Sequence, residues 1–554
     1  MPIILKQVSS LEKIFKRDTN SLENISFKKV MPGQRLSYQI VFRDDANYWI
    51  TVSKNSVFGE DFKLFVVKEV YADCPATDDV SNENYIIKEP DFVPDILIPL
   101  QEQNNQLSHK GGNSILWVDL DIPKDTKAGK YTLKVDFGLK KFTSHNSKFD
   151  EILTAEMEIE VILAVISEQQ LIYTRWFYLD CIATAHNVKI FSEQHWFLIE
   201  KYVAKAKNLG INMLLLPVHT PPLDTEVGTF RPCVQLVDIE KRGDNYKFDF
   251  TKFTRFVDIC KANGIKYFEI AHMFSQWGSK SSANIMVTHD GVTDYLFNWD
   301  TPAESEEYSE FLKQYIKAIS TQLEKEGIAE NTYFHVSDEP NTDNIEQYRK
   351  THSIIKSLIG KSKIIDAVSH IEFCDTGLLE CPVTIANTIH KFLELNLDNQ
   401  WVYYCSYPQR IYPNCFIAMP SGRIRILGYL IYKYGIKGFL HWGFNYYNSV
   451  NSRYPINPYL TTSADCAFPS GDGFIVYPGN DDAYASVRGE VTYQAIEDIK
   501  ICESLEKFIG KENVVKIVDS TAKRDLRFDN YPDDNAFCEK LRDILIEKIQ
   551  ENSI

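Results

Sequence analysis

The sequence predicts a multidomain protein with an N-terminal antiparallel β-sandwich, a (β/α)8 barrel of the TIM type and a small C-terminal extension. Period-two alternation of apolar and polar residues dominates the first part of the chain. Short apolar strands then alternate with helical patterns, which is typical of parallel β/α architecture, and helical patterns alone close the chain. These changes of pattern place the predicted domains at residues 1–165, 166–510 and 511–554.

The first domain is predicted from strands that alternate in hydrophobicity. Arg35–Phe42, Tyr131–Phe137 and Glu156–Ile162 each place apolar side chains on one face, as half-buried strands do. Pro32-Gly33 is a turn signal just before the first of them. The polar, proline-rich stretch from Tyr71 to about Asn113 predicts long loops between strands.

The barrel is predicted from eight apolar strand candidates separated by helical patterns such as Gln194–Leu209 and Glu304–Glu326. Further helical patterns at residues 489–509 and 536–551 predict the closing helix and the extension. In such a barrel the reactive groups lie at the C-terminal ends of the strands. The strand candidates are Arg175–Asp180, Asn212–Pro217, Lys266–Ala271, Thr332–Val336, Ile364–Val368, Val383–Asn387, Trp401–Ser406 and Gly438–Trp442.

Composition excludes several functional classes. The chain has 554 residues, 44% of them hydrophobic, and a formal net charge of −16, which argues against binding to nucleic acid or an anionic membrane surface. No run of eighteen apolar residues occurs, so we expect no membrane insertion. The acidic surface is compatible with a monomer or an oligomer.

Cysteines and short motifs point to no cofactor. The eleven cysteines are scattered without a Cys-x-x-Cys pair, so neither a zinc site nor a disulfide framework is expected. No glycine-rich phosphate loop, His-Glu-x-x-His or Gly-x-Ser-x-Gly motif occurs. The start, Met1–Lys6, shows no signal-peptide pattern, so we expect a cytoplasmic location, with a trimmed leader as the alternative.

The most informative segment runs from Tyr333 to Pro340. An apolar, strand-like run ends in two adjacent carboxylates, Asp338 and Glu339. Like charges at close range raise one pKa, so that one group stays protonated beside an ionised neighbour. Such a pair is equipped for glycoside cleavage, in which one acid protonates the leaving oxygen and the other stabilises positive charge. The alternative is that Asp338 only caps a helix that follows Pro340.

The other strand ends are rich in aromatic and polar side chains, which suit the apolar faces and hydroxyl edges of sugars. Packing alone is the alternative for each of them. His272 and His441 could bind a metal, but no third ligand at fixed spacing accompanies them. The candidate substrate-binding residues are Trp176, Asp180, His272, Trp277, Tyr403, Tyr404, Tyr407, Trp442, Asn445 and Tyr447.

At several of these strand ends the chain resembles glycoside hydrolase family 123, long described as a domain of unknown function. The resemblance covers roughly residues 170 to 510, and Gly489 and Ser406-Tyr407-Pro408 depart from the pattern. The segments that carry it are His335–Pro340, Trp176–Asp180, Ala271–Gly278, Trp401–Cys405, Gly438–Gly443, Ser486–Glu490 and Ala495–Asp498.

The resemblance implies an exo-acting β-N-acetylgalactosaminidase or a related 2-acetamido-hexosaminidase, with a glycan or glycoconjugate as substrate. Such enzymes retain configuration because the acetamido oxygen of the substrate attacks the anomeric carbon and forms an oxazolinium ion, an exception to the two-carboxylate scheme. Carried onto this sequence, Glu339 would be the general acid/base, and Asp338 would orient the acetamide. By analogy, Tyr403, Tyr404 or Tyr407 would donate to the acetamide oxygen.

Two other functions stay open at this point. A conventional glycosidase for another sugar would need a second carboxylate about 5 Å from Glu339, a part that Asp180 or Asp366 could play. A non-catalytic carbohydrate-binding protein would keep the aromatic side chains without needing both acids. The intact pair counts against that third function.

Overall fold

The computed structural model describes residues 3–145, 148–276, 278–375 and 377–553. Within these residues a ten-stranded sheet is built mainly from the N-terminal part of the chain, in the order β2-β8-β7-β3-β6-β4-β5-β23-β22, with β1 beside β3. Its pairs are antiparallel except for β2 with β8. The strands are β1 (Ile4–Ser9), β2 (Phe27–Val30), β3 (Arg35–Asn55), β4 (Phe62–Ala72), β5 (Asp91–Pro99), β6 (Gln106–Asp121), β7 (Gly129–Lys141), β8 (Glu151–Val161), β22 (Val476–Pro478) and β23 (Ala483–Ser486).

Part of the stretch predicted as loops is strand. Residues 73–90 do form irregular turns, but β5 and the start of β6 follow. Val93 and Leu97 are fully buried, whereas Pro94 lies opposite a register shift between Lys68 and Glu69. A bulge is one of the few places where a sheet accepts proline, so the proline that favoured a loop is accommodated inside the strand.

A parallel sheet of nine strands follows in the described chain, in the order β17-β16-β13-β10-β9-β21-β20-β19-β18. The first and last strands of this order are separated in the chain only by Ile365, so the sheet is nearly closed on itself and barrel-like. The strands are β9 (Ile172–Arg175), β10 (Met213–Leu216), β13 (Tyr267–Ile270), β16 (Thr332–Phe334), β17 (Lys363–Ile364), β18 (Asp366–Val368), β19 (Pro382–Ile385), β20 (Trp401–Tyr403) and β21 (Gly438–His441).

Two of the predicted strands differ from the structure. The candidate at Arg175–Asp180 overlaps β9 at Arg175 alone, and a helix begins at Leu179. Residues 175–180 are all buried, so hydrophobicity cannot mark where the strand stops. The candidate at Ile364–Val368 is broken at Ile365 into β17 and β18, which pair with different neighbours.

Helices cover the barrel-like sheet and close the chain. The predicted helical patterns correspond to α2, α4, α9 and α11, and side-chain caps from Ser192, Ser305, Ser486 and Asp534 begin them. The helices are α1 (Leu179–Ala185), α2 (Glu193–Asn208), α3 (Thr251–Ala262), α4 (Glu306–Lys325), α5 (Ile345–Lys356), α6 (Glu372–Asp375), α7 (Ile389–Leu393), α8 (Ser421–Tyr434), α9 (Val487–Ile509), α10 (Lys511–Ala522) and α11 (Asn535–Asn552).

Two insertions lie at the C-terminal ends of β10 and β13 and form a small four-stranded sheet, β12-β11-β14-β15, in the described chain. Its strands are β11 (Asp238–Arg242), β12 (Asn245–Asp249), β14 (Ile285–His289) and β15 (Val292–Phe297).

The two large sheets share a core. Val93 and Trp117 of the N-terminal sheet belong to the same buried apolar cluster as the barrel strands, while the opposite face of that sheet has a core of its own. A search of the described helices finds none long and apolar enough to cross a membrane.

Candidate active site

Asp338 and Glu339 lie just after β16, in the segment that follows the C-terminal end of this strand of the barrel-like sheet. Asp338 is buried, with 7% of its surface exposed, and Glu339 is partly exposed. Glu339 has a φ of 44°, a left-handed conformation that non-glycine residues adopt at a cost, often at functional sites. Asn341, rather than Asp338, caps the turn that follows, so the capping alternative does not explain the pair.

Each acid of the pair receives one hydrogen bond from a neighbouring strand end. The Gln276 amide donates to Oδ2 of Asp338 at 3.0 Å, and the Tyr403 hydroxyl donates to Oε1 of Glu339 at 2.7 Å. The Gln276 side chain also accepts a hydrogen bond from the backbone N–H of Asp224 at 2.7 Å. One amide therefore links the segments that follow β10, β13 and β16. The second oxygen of each acid has no hydrogen-bond partner in the described chain and is available to a ligand.

The environment of Asp338 favours its protonated form. Burial raises the pKa of Asp338 well above its ordinary value, the charge of Glu339 raises it further, and the Gln276 hydrogen bond opposes both. Burial and Glu339 also raise the pKa of Asp224 to about 6, although Arg231 lowers it. Three carboxyl groups in one site therefore hold fewer than three charges near neutral pH.

Beneath the pair, a buried network ties β16 to its neighbours. His335 contacts Glu269 at 2.8 Å through Nε2 and Asp366 at 3.2 Å through Nδ1. Burial lowers the pKa of His335, but its bonds to both carboxylates prevail and raise it to about 9. The Trp176 indole N–H donates to the same Glu269 at 3.2 Å. Trp176 is thus held edge-on against the His335 ring.

One group of side chains in the described chain has the composition of a metal site. Ligand atoms of His272, His335 and Asp366 lie within 4.8 Å of one another. Both ring nitrogens of His335 are bonded to carboxylates, however, and a doubly bonded imidazolium has no lone pair for a metal. The His272 ring stacks on His335 at 4.2 Å, so their in-plane lone pairs run side by side instead of converging. His335 and Asp366 are therefore taken up by hydrogen bonds and do not fit a metal centre, although both ring nitrogens of His272 lack a hydrogen-bond partner in the described chain.

The family model described as the catalytic domain of glycoside hydrolase 123 matches residues 176–505, more than half of the chain. The chain belongs to glycoside hydrolase family 123. The Asp338–Glu339 loop and its partners Gln276 and Tyr403 all lie inside the matched segment.

Solved structures agree with this assignment at the level of the fold. A family 123 glycoside hydrolase from Clostridium perfringens, studied for its hydrolysis of glycolipid glycans, is similar with a TM-score of 0.72, at 16% identity over 99% of this chain and 97% of the other. A family 10 xylanase with a bacterial Ig-like domain from termite gut (TM-score 0.32, 8% identity, 86% of this chain and 100% of the other) and a family 5 enzyme from Bacteroides vulgatus (0.31, 13%, 62% and 67%) are too distant to carry an argument. No curated protein sequence matches the chain.

The other predicted substrate-binding residues of this family 123 chain occupy different environments. Asp180 forms a buried ion pair with Arg231, and both polar groups of Asn445 bond the backbone of Tyr178. The Tyr447 hydroxyl donates to a backbone carbonyl of β22 at 2.9 Å. In these three residues the polar atoms are occupied by the protein itself.

The aromatic candidates also differ in whether they contact the acid pair. Tyr403 reaches Glu339, whereas Tyr404, the next residue, lies buried against His441 with a hydroxyl that finds no partner in the described chain. Tyr407 is 48% exposed. Trp442 donates its indole N–H to Asp472 at 2.9 Å. His272 is buried on His335, and Trp277 lies outside the described residues.

Two acidic residues near the pair escaped the sequence prediction. Asp224 comes eight residues after β10, in a polar loop with no strand signal, and Asp472 stands between two glycines far beyond β21. Burial, with the charge of Asp224, raises the pKa of Asp472 to about 7, although the Trp442 hydrogen bond opposes it. Gln276 was visible at a strand end, but nothing in the sequence separated it from its neighbours.

Proposed function

We propose that this family 123 enzyme removes terminal β-linked 2-acetamido sugars, with N-acetylgalactosamine the first candidate, by retaining, substrate-assisted catalysis. The observation that carries the proposal is the placement of both acids on consecutive residues of one loop. Consecutive carboxylates reach a sugar from the same side, so they cannot act as an acid and a nucleophile on opposite faces. The substrate's acetamido group would then supply the missing nucleophile.

In the first step Glu339 would protonate the leaving oxygen while the acetamide oxygen attacks the anomeric carbon. The glycosidic bond breaks and an oxazolinium ion forms, with its proton-bearing nitrogen facing the free oxygen of Asp338. In the second step Glu339 would take a proton from water, which opens the ring with overall retention of configuration. Tyr403, whose hydroxyl lies beside Glu339, would turn its single O–H from that carboxylate to the acetamide oxygen when the substrate binds.

The coupled acids suggest how the proton reaches Glu339. Before substrate binds, burial and charge repulsion favour a proton on Asp338. An acetamide N–H that donates to Asp338 would favour its ionised form, because hydrogen bonds to a carboxylate stabilise the charge. The proton would then be available to Glu339. The acetamido group that later forms the oxazolinium ring would thus also prepare the general acid.

The two-carboxylate alternative has little support from the residues considered for it. Asp180 is paired with Arg231, and Asp366 accepts bonds from Tyr348, His335 and the backbone of Val336. Neither has a free oxygen facing Glu339. The choice of N-acetylgalactosamine rests on the family resemblance alone.

Hydrolysis of paired chromogenic β-glycosides tests the proposal. Wild type should cleave the N-acetyl-β-galactosaminide or the N-acetyl-β-glucosaminide and leave the plain β-galactoside intact. Glu339→Gln should lower kcat/KM by about 100-fold or more, since general acid catalysis contributes about 10²–10⁴-fold. Glu346→Gln, an exposed glutamate of α5, is the matched control. Cleavage of the plain galactoside would rule out substrate assistance.

A further inference from the structure

Asp224 is a third carboxylate at the catalytic pair, and its backbone is held from both sides. Its N–H donates to the Gln276 amide that also bonds Asp338, and its carbonyl accepts the Ser452 hydroxyl at 2.6 Å. Its φ is 43°, in the left-handed region that aspartate tolerates better than most residues. The loop therefore fixes where this carboxylate stands.

The carboxylate itself has no partner. Within the described chain it forms neither a hydrogen bond nor an ion pair, although the residue is only partly exposed. Arg231, whose charge acts on this carboxylate, is engaged by both oxygens of Asp180. Withholding an ionisable group from water without a partner costs free energy unless a ligand completes its bonds.

The geometry points to a role for Asp224 in substrate recognition: its carboxylate accepts hydrogen bonds from one or two ring hydroxyls of the terminal sugar. This inference rests on the proposed function for the identity of that sugar. Hydroxyl groups are donors that a carboxylate binds well, and charge-assisted bonds of this kind are strong. A sugar that presents an anionic ester at the same position would meet three carboxyl groups and be rejected.

A double-mutant cycle between enzyme and substrate tests the contact. Wild type and Asp224→Asn are assayed on the N-acetyl-β-galactosaminide and on its 3-, 4- and 6-deoxy analogues. Asparagine tolerates the left-handed backbone, so the variant should fold. We expect Asp224→Asn to lower kcat/KM by about 10- to 100-fold on the parent sugar, the range for hydrogen bonds to charged groups.

The analogues decide the interpretation. With wild type, one deoxy substrate should show a kcat/KM lower than that of the parent sugar by a similar factor. With Asp224→Asn, removal of the same hydroxyl should lower kcat/KM hardly any further. Wild type should not cleave a substrate that carries a sulfate ester at that position. Equal losses for every analogue with both enzymes would overturn the contact. A loss beyond about 10⁴-fold, with covalent labelling of wild type by a 2-fluoro sugar, would make Asp224 a nucleophile instead.

Controls separate this inference from the proposed function. Asp290→Asn changes an exposed aspartate in the same left-handed conformation, at the turn between β14 and β15, and should leave every rate unchanged. If wild type cleaves a plain galactoside, the proposed function fails. The cycle is then repeated on that sugar, and the contact is judged independently.

Discussion

At the scale of single residues, the adjacent acids Asp338 and Glu339 form an arrangement whose energetic cost the rest of the fold must offset. Asp338 is 7% exposed beside another acid, and Glu339 has a left-handed backbone. Burial, like-charge repulsion and backbone strain all oppose this geometry. Sites where local preferences conflict with the fold are often functional, which agrees with the role proposed for this loop.

Stability should therefore depend on pH through Asp338. Its pKa is raised in the folded protein, so the folded state binds more protons than the unfolded state above about pH 4, and stability falls as pH rises through that window. Asp338→Asn removes this penalty. We expect its melting temperature to exceed that of wild type by roughly 1–3 °C at pH 7, with catalysis largely lost.

Thermal melts between pH 4 and pH 8 check this sign. The difference between the variant and wild type should shrink toward pH 4, where the carboxyl group is protonated in the folded state and about half protonated in the unfolded state. Asp300→Asn, at an exposed position, serves as the control and should show no such trend. A variant that is less stable than wild type at pH 7 and equal at pH 4 would contradict the expectation.

At the scale of elements, the loop after β10 is the part that builds the site around the pair. Arg231 binds Asp180 at the start of α1 through two nitrogens, bonds the carbonyl of Leu223, and covers the ring of Tyr178 at 4.9 Å. Leu223 directly precedes Asp224. The buried ion pair thus orders the loop that presents the third carboxylate.

Breaking this ion pair should cost much more than breaking an exposed one. Arg231→Met leaves Asp180 buried without its partner, and we expect a loss of about 3–5 kcal/mol in the free energy of unfolding. Arg242→Met removes the exposed partner of Glu240 and should cause no measurable change. Denaturant unfolding of both variants provides the measurement, and equal losses would show that the buried pair is not what orders the loop.

The elements themselves were largely predictable, because periodicity and caps are local. Four long helices correspond to their patterns, and most barrel strands overlap their candidates. The candidate at Arg175–Asp180 is shifted, since a run buried on all sides has no period. Strand ends also indicated candidate site residues by their type and position. They could not show that Asp180 is already paired with a residue 51 positions away.

At the scale of the whole molecule, the two sheets are parts of one structure. Strands β22 and β23 come from beyond the barrel strands; β23 pairs with β5 of the N-terminal sheet, and β22 pairs with β23. Asp95 of β5 binds Arg488 of α9 at 3.0 Å with both side chains fully buried, and the Tyr477 hydroxyl donates to Asp95. The N-terminal sheet therefore supports α9, a helix that packs against α8.

Removing the N-terminal sheet should accordingly destroy the catalytic part. We expect residues 166–554 expressed alone to be insoluble, because Arg488 would lose its buried carboxylate and the shared core would be exposed. Co-expression with residues 1–165 should restore soluble, active protein. Solubility and glycosidase activity are the measurements, and an active, soluble fragment would show that the barrel folds independently.

The sequence by itself determined most of the barrel strands, four long helices, the family resemblance and the acid pair at the end of the fourth barrel strand candidate. Each of these depends on residues that are close in sequence, because their spacing sets local structure and chemistry. Only the tertiary structure decided that Gln276 and Tyr403 meet the pair. It also decided that Asp180 is paired with Arg231, whereas the Asp224 carboxylate has no partner in the described chain. Those outcomes depend on contacts between residues 51 to 64 positions apart, which arise only when the strands close around a common centre.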